Sequence, residues 1–377
     1  MTRRFKIALL VSDFPPTTIG GTEIATRNIA KYLSKKHIDV HVITRTAQIK
    51  LKGEKRSLKK IESHNGYTIH RIPYCKVPIF RFITHVVCSL WTLQKIRPAL
   101  IQGQMITPNG LIAVLGGFLL RKKTIVYARG NEVYESSLFY LKSLGQFVIT
   151  RASIILGLSH DLVKRMKQLW PNKPIFQLSN GIELFNYYKD DSPKSTIELI
   201  YVGRLTRGKR VQDALYAISQ VKNITPNIRL TIIGSGPEED FLKRKCKFLR
   251  IEDHIRFLGK RPPKEIPKNL SKADIFIFPS HHESFGLAIL EAMASYLPIL
   301  ASRSTAIPEL VHDGENGLLH SPGNINELAK NLKTLIENDT LRKSMGKKSR
   351  EIAQNYSWEN IINKLIKIYF NMLIKQD

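Results

Sequence analysis

Residues 278–286 have the sequence Phe-Pro-Ser-His-His-Glu-Ser-Phe-Gly, and residues 287–294 continue it with Leu-Ala-Ile-Leu-Glu-Ala-Met-Ala. The apolar run 275–278 predicts a buried strand, and the sequence after Gly286 predicts a helix. A strand, a polar loop and a helix in this order are typical of a parallel α/β sheet. Ligands of such sheets bind outside the carboxyl ends of the strands, so this stretch predicts a binding edge as well as a fold.

Two glutamates, Glu283 and Glu291, lie in this stretch, the first in the predicted loop and the second about one turn into the predicted helix. Carboxylates at a binding edge are suited to hydroxyl-rich ligands such as sugars and riboses, because charged acceptors make the stronger hydrogen bonds. For the pair taken alone, the alternative is one solvated glutamate and one glutamate favoured by the helix dipole.

The length of 377 residues exceeds what one hydrophobic core usually serves, which predicts two domains. Apolar runs alternate with helical periods in two series. The first series of predicted strands covers residues 6–11, 40–44, 124–128, 154–158 and 175–178. The second series covers residues 199–202, 230–233, 255–258, 275–278 and 299–301. The sequence therefore predicts an α/β protein with two Rossmann-like, doubly wound domains.

The polar stretch 183–196 has the composition of a linker. We therefore expect an N-terminal Rossmann-like domain at 1–178, followed by a linker and the start of the second domain at 179–196. A C-terminal Rossmann-like domain is expected at 197–356. The helical period of apolar residues after it predicts a C-terminal helix at 357–377.

Cysteines and apolar runs exclude several protein classes. Cys75, Cys88 and Cys246 are odd in number and lack metal-ligand spacing, so we expect neither a disulfide framework nor a zinc site. No stretch reaches the roughly 18 uncharged apolar residues that a membrane-spanning helix needs. The nearest, residues 77–93, is interrupted by Arg81.

Two predicted strand-to-helix loops have residues suited to phosphate. The first contains Gly20 and Gly21, and the second contains Gly203, Arg204 and Lys209. Glycines let backbone amides approach a phosphate at a helix N-terminus, and a guanidinium with an ammonium suits a diphosphate. The alternatives are a plain tight turn for the first loop and a solvated basic surface for the second.

A third loop, Gly234-Ser235-Gly236-Pro237, also follows a predicted strand. It lacks the full dinucleotide fingerprint and the acidic residue about twenty positions on. A nicotinamide cofactor is therefore not predicted.

In this order along the chain, the residues resemble the retaining glycosyltransferases of family 4, which have the two-domain GT-B fold. The resemblance covers nearly the whole chain. It is carried by segments 20–23, 179–185, 203–209, 234–237 and 279–280, the Glu283 and Glu291 pair, 307–311, and Asp313-Gly314 with Gly317. The family fold implies two domains facing a central cleft and a C-terminal helix that returns towards the first domain.

The resemblance implies that the second domain binds a nucleotide-activated sugar and the first binds the acceptor. By it, Glu283, Arg204 and Lys209 are the catalytic residues. The two cations hold the diphosphate and stabilise the leaving group, and Glu283 binds the transferred sugar. Glu291 would bind the ribose. Further donor contacts are expected at Gly20, Gly21, Gly203, Gly234, Ser284, Phe285, Gly286 and Leu287.

The family generally needs no bound metal, so the resemblance implies no cofactor and a nucleotide-sugar that enters as substrate. Retention in the family is ascribed to front-face attack assisted by the leaving phosphate. Glu283 is therefore not expected to be a nucleophile, in contrast to retaining glycosidases, where one of two carboxylates attacks the sugar.

The sequence departs from the family pattern near the expected pocket. Many relatives carry a His after the strand at 124–128, where this chain has Arg129 and Glu132. One of these two is expected to contact the sugar or phosphate instead. Tyr296 stands where Gly is usual, and Ser304-Thr305-Ala306 where a Gly-Gly pair is common, which leaves the donor sugar undetermined.

The net charge is +28, from 59 Lys and Arg against 31 Asp and Glu, and most of the excess lies before residue 179. This charge indicates an anionic partner of the first domain. A basic cluster, expected to be an exposed loop, lies at 50–60. A second set mixes cations with apolar side chains: Arg71, Lys76, Arg81, Ile72, Tyr74, Ile79, Phe80, Phe82 and Trp91. Such mixtures suit the interface of an anionic membrane.

We therefore expect a cytoplasmic enzyme, peripheral on the inner face of the cell membrane, that acts in cell-envelope or glycoconjugate synthesis. Its expected donor is a UDP- or GDP-hexose, and its acceptor a saccharide or a lipid-linked saccharide. The alternative for the basic half is a soluble protein whose aromatic residues belong to the core.

Rival functions are a sugar-nucleotide epimerase or a phosphorylase on the same fold, and a basic nucleic-acid-binding protein. A phosphorylase would need a lysine-bound pyridoxal phosphate, for which no motif is present. No recognition helix, zinc finger or RNA-binding signature occurs either, so no nucleic acid is expected as a partner.

Overall fold

The computed structural model describes residues 5–16, 20–45, 49–51, 54–56, 60–73, 77–134, 139–190, 192–224 and 227–374. The chain forms two compact units. The first unit extends to Gly181 and resumes at Trp358, and the second unit is Ile182–Ser357.

The first unit is built on a mainly parallel sheet. Its strands are β1 (Lys6–Leu10), β2 (Asp39–Arg45), β3 (Ile49–Leu51), β4 (Glu54–Arg56), β5 (Ile61–His64), β6 (Tyr67–Ile72), β7 (Leu100–Gln104), β8 (Lys123–Ala128), β9 (Ile154–Gly157) and β10 (Ile175–Gln177). The described strands other than β3 and β4 form one sheet with the order β10-β9-β8-β7-β1-β2-β6-β5. Only the edge strand β5 is antiparallel to its described neighbour.

Helices cover this sheet. They are α1 (Gly21–Lys35), α2 (Pro78–Ile96), α3 (Leu111–Leu120), α4 (Asn131–Tyr134), α5 (Phe139–Arg151) and α6 (His160–Leu169), with a π-helical turn at Ile106–Gly110. Ile7 of β1 pairs with Val40 of β2 on one side and Leu100 of β7 on the other. The strand order reverses between β1 and β7, and such a switch point opens a crevice at the carboxyl edge.

The second unit has a parallel, doubly wound sheet. Its strands are β11 (Ile197–Val202), β12 (Ile228–Ile233), β13 (Ile255–Gly259), β14 (Ile275–Phe278), β15 (Ile299–Ser302) and β16 (Gly317–His320). Their order is β13-β12-β11-β14-β15-β16, so the switch point lies between β11 and β14, where Leu199 pairs with Ile275. All four residues of β14 are buried, as expected for a strand covered on both faces.

The helices of the second unit follow its strands in the same alternation. They are α7 (Val211–Val221), α8 (Glu239–Leu249), α9 (Ile266–Ser271), α10 (Leu287–Ala294), α11 (Ile325–Glu337) and α12 (Asp339–Gln354). Short 3-10 turns occupy Leu184–Asn186, Arg207–Lys209, Glu252–His254, Pro263–Glu265 and Ile307–Glu309.

The last helix, α13 (Trp358–Ile374), belongs to the first unit. Trp358 stacks on Tyr32 of α1 with ring centroids 6.2 Å apart, and the Tyr369 hydroxyl donates to Gln102 Oε1 at 2.6 Å. Most of the apolar face predicted for this helix is buried, namely Trp358, Ile361, Ile362, Leu365 and Tyr369.

The predicted α/β class with two parallel-sheet domains is confirmed. The sequence prediction omitted β5, β6, β7 and β16. Strand β7 was not predicted because Gln102, Gly103 and Gln104 interrupt its apolar run, although all five of its residues are buried. The loop expected at 50–60 was wrong in part, since it contains residues of the antiparallel pair β3 and β4; 52–53 and 57–59 lie outside the described residues.

Candidate functional site

The loop after β11 lies directly on the loop after β12. The Gly203 amide donates to the Ile233 carbonyl at 3.0 Å, and the Leu205 amide donates to the Ser235 carbonyl at 3.1 Å. A Cβ on Gly234 would stand 1.8 Å from the Gly203 carbonyl oxygen. Glycine is therefore required at Gly234 by the close approach of two backbones, before any contact with a ligand is considered.

Lys209 and Glu283 come together at the switch point, from the loops after β11 and β14. Lys209 Nζ lies 2.5 Å from Glu283 Oε2, and the two side chains are 17% and 19% exposed. The ammonium also lies 5.4 Å from the ring centroid of Phe278, which stacks on Tyr201 of β11 at 5.7 Å. The ammonium thus lies against an aromatic ring, and the low polarity of this surrounding strengthens its attraction to the Glu283 carboxylate.

Arg204 lies at the rim of this edge. Its side chain is exposed, and its carbonyl accepts the Tyr201 hydroxyl at 3.0 Å. Within the described parts of the chain Arg204 forms no ion pair, so its guanidinium keeps its full charge towards solvent. The fork geometry of such a group suits a phosphate.

The Glu283 backbone is fastened by Thr305. The Glu283 amide donates to Thr305 Oγ1 at 2.9 Å, and the Thr305 hydroxyl donates to the Glu283 carbonyl at 2.8 Å. Three residues on, Gly286 has φ +93 and caps the start of α10. This left-handed conformation favours glycine and turns the chain from the loop into the helix.

The neighbouring predicted contacts have different environments. Phe285 is 5% exposed and packs on Tyr356, so its side chain belongs to the core, and only its backbone is available to a ligand. Ser284 and Leu287 are half-buried at the start of α10.

Glu291 lies on α10, half-buried, and accepts the Tyr187 hydroxyl at Oε1 across 3.2 Å. Burial raises the pKa of Glu291 to about 7, because the charged form is poorly solvated there. Burial and the adjacent carboxylate raise the pKa of the Tyr187 phenol above its usual range, so the phenol stays a donor. Glu291 therefore changes charge close to neutral pH.

The carboxyl edge of the first unit contains the other predicted residues. Gly20 precedes α1 and Gly21 is its first residue; residues 17–19 lie outside the described part. A Cβ on Gly20 would stand 2.4 Å from Glu23 Oε2, whereas one on Gly21 would meet no atom within 4 Å among the described residues. Glu23 in turn interacts electrostatically with Arg129.

Arg129 is buried at the end of β8. Its Nη1 donates to Asn180 Oδ1 at 2.9 Å and its Nη2 to Gln104 Oε1 at 2.6 Å. The guanidinium carbon lies 3.9 Å from the ring centroid of Tyr127. Burial lowers the pKa of Arg129, but a guanidinium remains charged near neutral pH. Two neutral amide oxygens therefore hold a buried cation.

Glu132 does not bind the Arg129 guanidinium. Its Oε1 accepts the backbone amides of Arg129 at 3.0 Å and Ile106 at 3.4 Å. Burial raises the pKa of Glu132. Among the described residues, Arg129 Nε, Gln104 Nε2 and Glu132 Oε2 are buried without a hydrogen-bond partner. Buried polar atoms are rarely left unpaired, so this cluster is suited to a bound ligand or water.

Several residues of these edges were missed by sequence reasoning. In the second unit they are Tyr187 and Tyr201, and in the first unit Ser12, His85, Gln104 and Asn109; Thr305 and Asn180 lie in segments compared with the family pattern, but no contact was predicted for them. The Asn109 amide donates to Ser12 Oγ at 3.2 Å, and its Oδ1 lies 3.1 Å from His85 Nε2. One signal was available: Ser12 and Asn180 come shortly after predicted strands.

The mixed basic and apolar cluster was wrong for two residues. Arg71 is 4% exposed and pairs with Glu62 at 3.3 Å, and Ile72 is buried as well. Phe80, Phe82 and Trp91 are exposed as that interpretation requires. Tyr74, Lys76 and Cys75 lie outside the described residues, and so does the side chain of Ile79.

In the described ranges, no helix is long and apolar enough to cross a membrane. The same ranges contain no group of three or more His, Cys, Asp or Glu side chains arranged to hold a metal ion.

Comparison with known families identifies both halves. Residues 19–184 match the family described as Glycosyltransferase Family 4, and residues 188–352 match the family described as Glycosyl transferases group 1. The two matches follow each other along most of the chain. The chain belongs to the family 4 glycosyltransferases, and it is a transferase with the GT-B fold.

Individual relatives are similar to this chain over nearly its full length. N-acetyl-alpha-D-glucosaminyl L-malate synthase of Bacillus anthracis is 25% identical over 98% of both chains. Sucrose-phosphate synthase of Thermosynechococcus elongatus superposes with TM-score 0.82 at 20% identity, covering 99% of this chain and 100% of that chain. HepE of Anabaena, solved with UDP-glucose, superposes with TM-score 0.78 at 18% identity, covering 97% and 100%.

Proposed function

We propose that the protein transfers a hexose from a UDP- or GDP-hexose to a saccharide or lipid-linked acceptor, with retention of the anomeric configuration. The contact between Lys209 and Glu283 at the switch point of the second sheet carries this proposal. An ammonium suits the diphosphate, and a carboxylate suits the sugar hydroxyls. A donor that has both groups can satisfy both side chains at one place.

Two relatives support a nucleotide-sugar donor. The HepE structure contains UDP-glucose, and the name of the Bacillus enzyme indicates transfer of an N-acetylglucosaminyl group. In this chain, Glu291 would accept the ribose hydroxyls, and the glycine-lined loops at Gly203 and Gly234 would admit the diphosphate. Gly286 and Leu287 would present their backbone amides to the donor.

The reaction breaks the bond between the sugar C1 and the diphosphate oxygen and forms a bond from C1 to an acceptor hydroxyl oxygen. Lys209 and Arg204 would stabilise the negative charge that develops on the departing diphosphate. The acceptor proton would pass to a departing phosphate oxygen on the same face, which keeps the anomeric configuration. Glu283 would hold the transferred sugar and form no covalent intermediate. The reaction would need no resident metal.

The acceptor would bind the first unit, where Arg129 or Glu132 would contact the sugar or phosphate. The guanidinium is held by neutral amides, so its charge is not cancelled by a hydrogen-bonded carboxylate. We place the reaction at the cytoplasmic face of the cell membrane, because the excess of basic residues before residue 179 suits an anionic surface.

Thermal unfolding with a panel of UDP-, GDP- and ADP-sugars, in the presence of EDTA, tests the donor site. A bound donor stabilises the folded protein by mass action. We expect one donor class to raise Tm, and the shift to disappear in Glu291→Ala and Arg204→Ala. Arg229→Ala is the matched control, since Arg229 pairs with Glu198 at the opposite end of β12.

No shift with any donor, together with tight and salt-sensitive binding to RNA or DNA, would favour the nucleic-acid alternative. A shift that EDTA abolishes would contradict a metal-free site. Proton NMR of the product distinguishes the remaining possibilities, because retention gives the anomeric coupling of the donor. Conversion of the donor without any acceptor would identify an epimerase instead.

A further inference from the structure

Helix α2 is apolar on the side that faces solvent. The outward side chains, spaced three or four residues apart, are Phe80, Ile83, Val87 and Trp91, and they are 50–59% exposed. We refer to these four residues as the α2 outer face. The inward side includes two buried polar residues, His85 and Ser89. A surface helix normally has the reverse arrangement.

Helix α3, which packs against α2, also has exposed apolar side chains. A Cβ on Gly116 of α3 would stand 2.6 Å from Leu93 Cδ1 of α2, so the two helices are in close contact. Phe118 and Leu119 at the end of α3 are 89% and 55% exposed. Large exposed apolar patches mark interaction surfaces.

Cations surround this surface and acids are missing from its sequence. No Asp or Glu occurs between Glu62 and Glu132. Lys95 Nζ lies 3.4 Å from the ring centroid of Trp91. Exposed cations also follow both helices, Arg97 after α2 and Arg121 and Lys122 after α3. An apolar strip with a cationic border matches the layered chemistry of an anionic bilayer surface.

We propose that the α2 outer face docks on an anionic phospholipid bilayer, with α2 parallel to the membrane plane. A second copy of a chain with charge +28 is a poor partner for this face, because the two copies repel. Nucleic acid is a poor partner too, since Ile83 and Val87 offer no ring for bases to stack on. This inference rests on the proposed function and narrows its acceptor to a lipid-anchored saccharide.

Flotation with vesicles of phosphatidylcholine alone and with 30% phosphatidylglycerol tests this surface. We expect the wild-type protein to float only with the anionic vesicles. The double variant Val87→Ser/Trp91→Ser should bind them about tenfold more weakly, because its apolar anchors are lost. Lys95→Glu should weaken binding about fivefold and should reduce its salt dependence.

Phe248→Ser is the matched control. Phe248 is also exposed, at 78%, and Lys245 lies 5.2 Å from its ring centroid, but it belongs to the second unit. Equal flotation of the wild type and the double variant would overturn the proposal. A dimer in sedimentation that the double variant dissociates would show that a second copy covers this face. Donor-induced stabilisation in every variant separates this test from the proposed function, since a failed donor site would abolish that shift throughout.

A second inference concerns Thr305, which has φ +41. A β-branched residue rarely adopts this left-handed conformation, and such strain persists only where surrounding contacts enforce it. Here the enforcing contacts are the two hydrogen bonds with the Glu283 backbone, at 2.9 and 2.8 Å. The hydroxyl therefore fixes the residue whose carboxylate meets Lys209.

We infer that Thr305 is a positioning residue for Glu283 in the proposed transfer reaction. Thr305→Gly removes the hydroxyl and both of its hydrogen bonds to the Glu283 backbone while accepting the left-handed conformation, so the variant should turn over about tenfold more slowly. Thr305→Ser keeps the hydroxyl and should restore most of kcat. The KM for the donor should change less than kcat, because the Lys209 and Glu291 contacts remain.

Two results would overturn this role. One is a Thr305→Gly variant with wild-type kcat, and the other is equal kcat in Thr305→Ser and Thr305→Val. Donor stabilisation of the wild-type protein is measured alongside. Its absence would contradict the proposed function, whereas its presence with wild-type kcat in Thr305→Gly would contradict only the role of Thr305.

Discussion

The carboxyl edge of the second sheet presents Lys209, Glu283 and Arg204 on short loops near solvent, whereas the edge of the first sheet encloses Arg129 among buried amides. The second edge lies at the switch point between β11 and β14, and the Arg129 cluster lies beside the switch point of the first sheet, at the ends of β7 and β8. In the second unit Lys209 and Glu283 pair with each other and can exchange partners with a ligand. In the first unit the cation is held by neutral oxygens that also join three strand ends. The same topology thus presents a charge pair near solvent in one unit and a buried cation held by amides in the other.

Lys209→Ala tests the carboxyl edge of the second sheet and has the largest expected effect. Loss of one group that stabilises the departing diphosphate should lower turnover about 10³-fold. The matched control is Lys243→Ala, because Lys243 also pairs with a glutamate, Glu239, but on the exposed side of α8. Steady-state kinetics of both variants measure the difference. Wild-type turnover in Lys209→Ala would show that Lys209 does not stabilise the departing diphosphate.

Arg129→Ala tests the carboxyl edge of the first sheet, where Gln104 and Asn180 hold the guanidinium. The change leaves Gln104 Oε1 and Asn180 Oδ1 buried without a donor, so we expect the free energy of unfolding to fall by about 3 kcal/mol. Denaturant unfolding measures it, with Arg151→Ala as control, since Arg151 is an exposed arginine of the same unit. Unchanged stability with lost activity would show that the first edge acts on the ligand rather than on the fold.

Glu291 should make the free energy of unfolding depend on pH. Its pKa of about 7 in the folded protein exceeds the value of 4.5 expected when unfolded, so the native state binds the proton more tightly. Stability from this group is present at pH 4 and is lost as pH rises through 7, by up to about 3 kcal/mol. Glu291→Gln should therefore be the more stable protein at pH 8.

Donor binding should have the opposite pH dependence, since the carboxylate is the better acceptor for ribose. We expect wild-type donor affinity to fall about tenfold from pH 8 to pH 6. Thermal unfolding across this range, with and without donor, measures both effects. An exposed glutamate, changed in Glu315→Gln, is the control. A donor affinity independent of pH would contradict a ribose contact through Glu291.

Gly286→Ala and Gly21→Ala compare the two helix starts and have the smallest expected effects. Alanine at Gly286 must adopt φ +93 and approach Ile289 Cδ1 to 3.1 Å, which should destabilise the protein by about 1 kcal/mol or slightly more. Alanine at Gly21 would meet no atom of the described residues within 4 Å in the first turn of α1 and should be neutral or slightly stabilising. Equal destabilisation by both changes would show that Gly21 is also held in a special conformation.

The residues of the second-unit edge follow apolar strands directly, so the sequence predicts that they lie at a carboxyl edge. That Lys209 and Glu283 belong together was implied only by the family resemblance, because the sequence does not show that β11 and β14 are neighbours. At the carboxyl edge of the first sheet, the side chains that hold Arg129 have no comparable signal, because neither directly follows a predicted apolar run. Gln104 and Asn180 are ordinary polar residues whose role depends on which strand ends become neighbours, and β7 itself was hidden by glutamines that are buried.

Tyr187 shows a different limit. It lies in the stretch whose composition predicted a linker, yet its hydroxyl reaches Glu291 on α10. Composition describes the average solvent exposure of a segment and not the destination of one side chain. The contact depends on tertiary packing, in which Arg350 Nη1 holds the carbonyls of Leu184, Tyr187 and Ala294 together.

The 2.5 Å contact between Lys209 and Glu283 also bears on competition with the small anions of the cell. Each charge already has a counter-ion, so an incoming inorganic phosphate must separate the pair and leaves the carboxylate without a partner. A sugar diphosphate can bind Lys209 through its phosphates and Glu283 through its sugar hydroxyls, so both side chains keep a partner. The paired site should therefore discriminate against free phosphate, and a phosphate titration of donor binding should show weak competition that strengthens in Glu283→Gln.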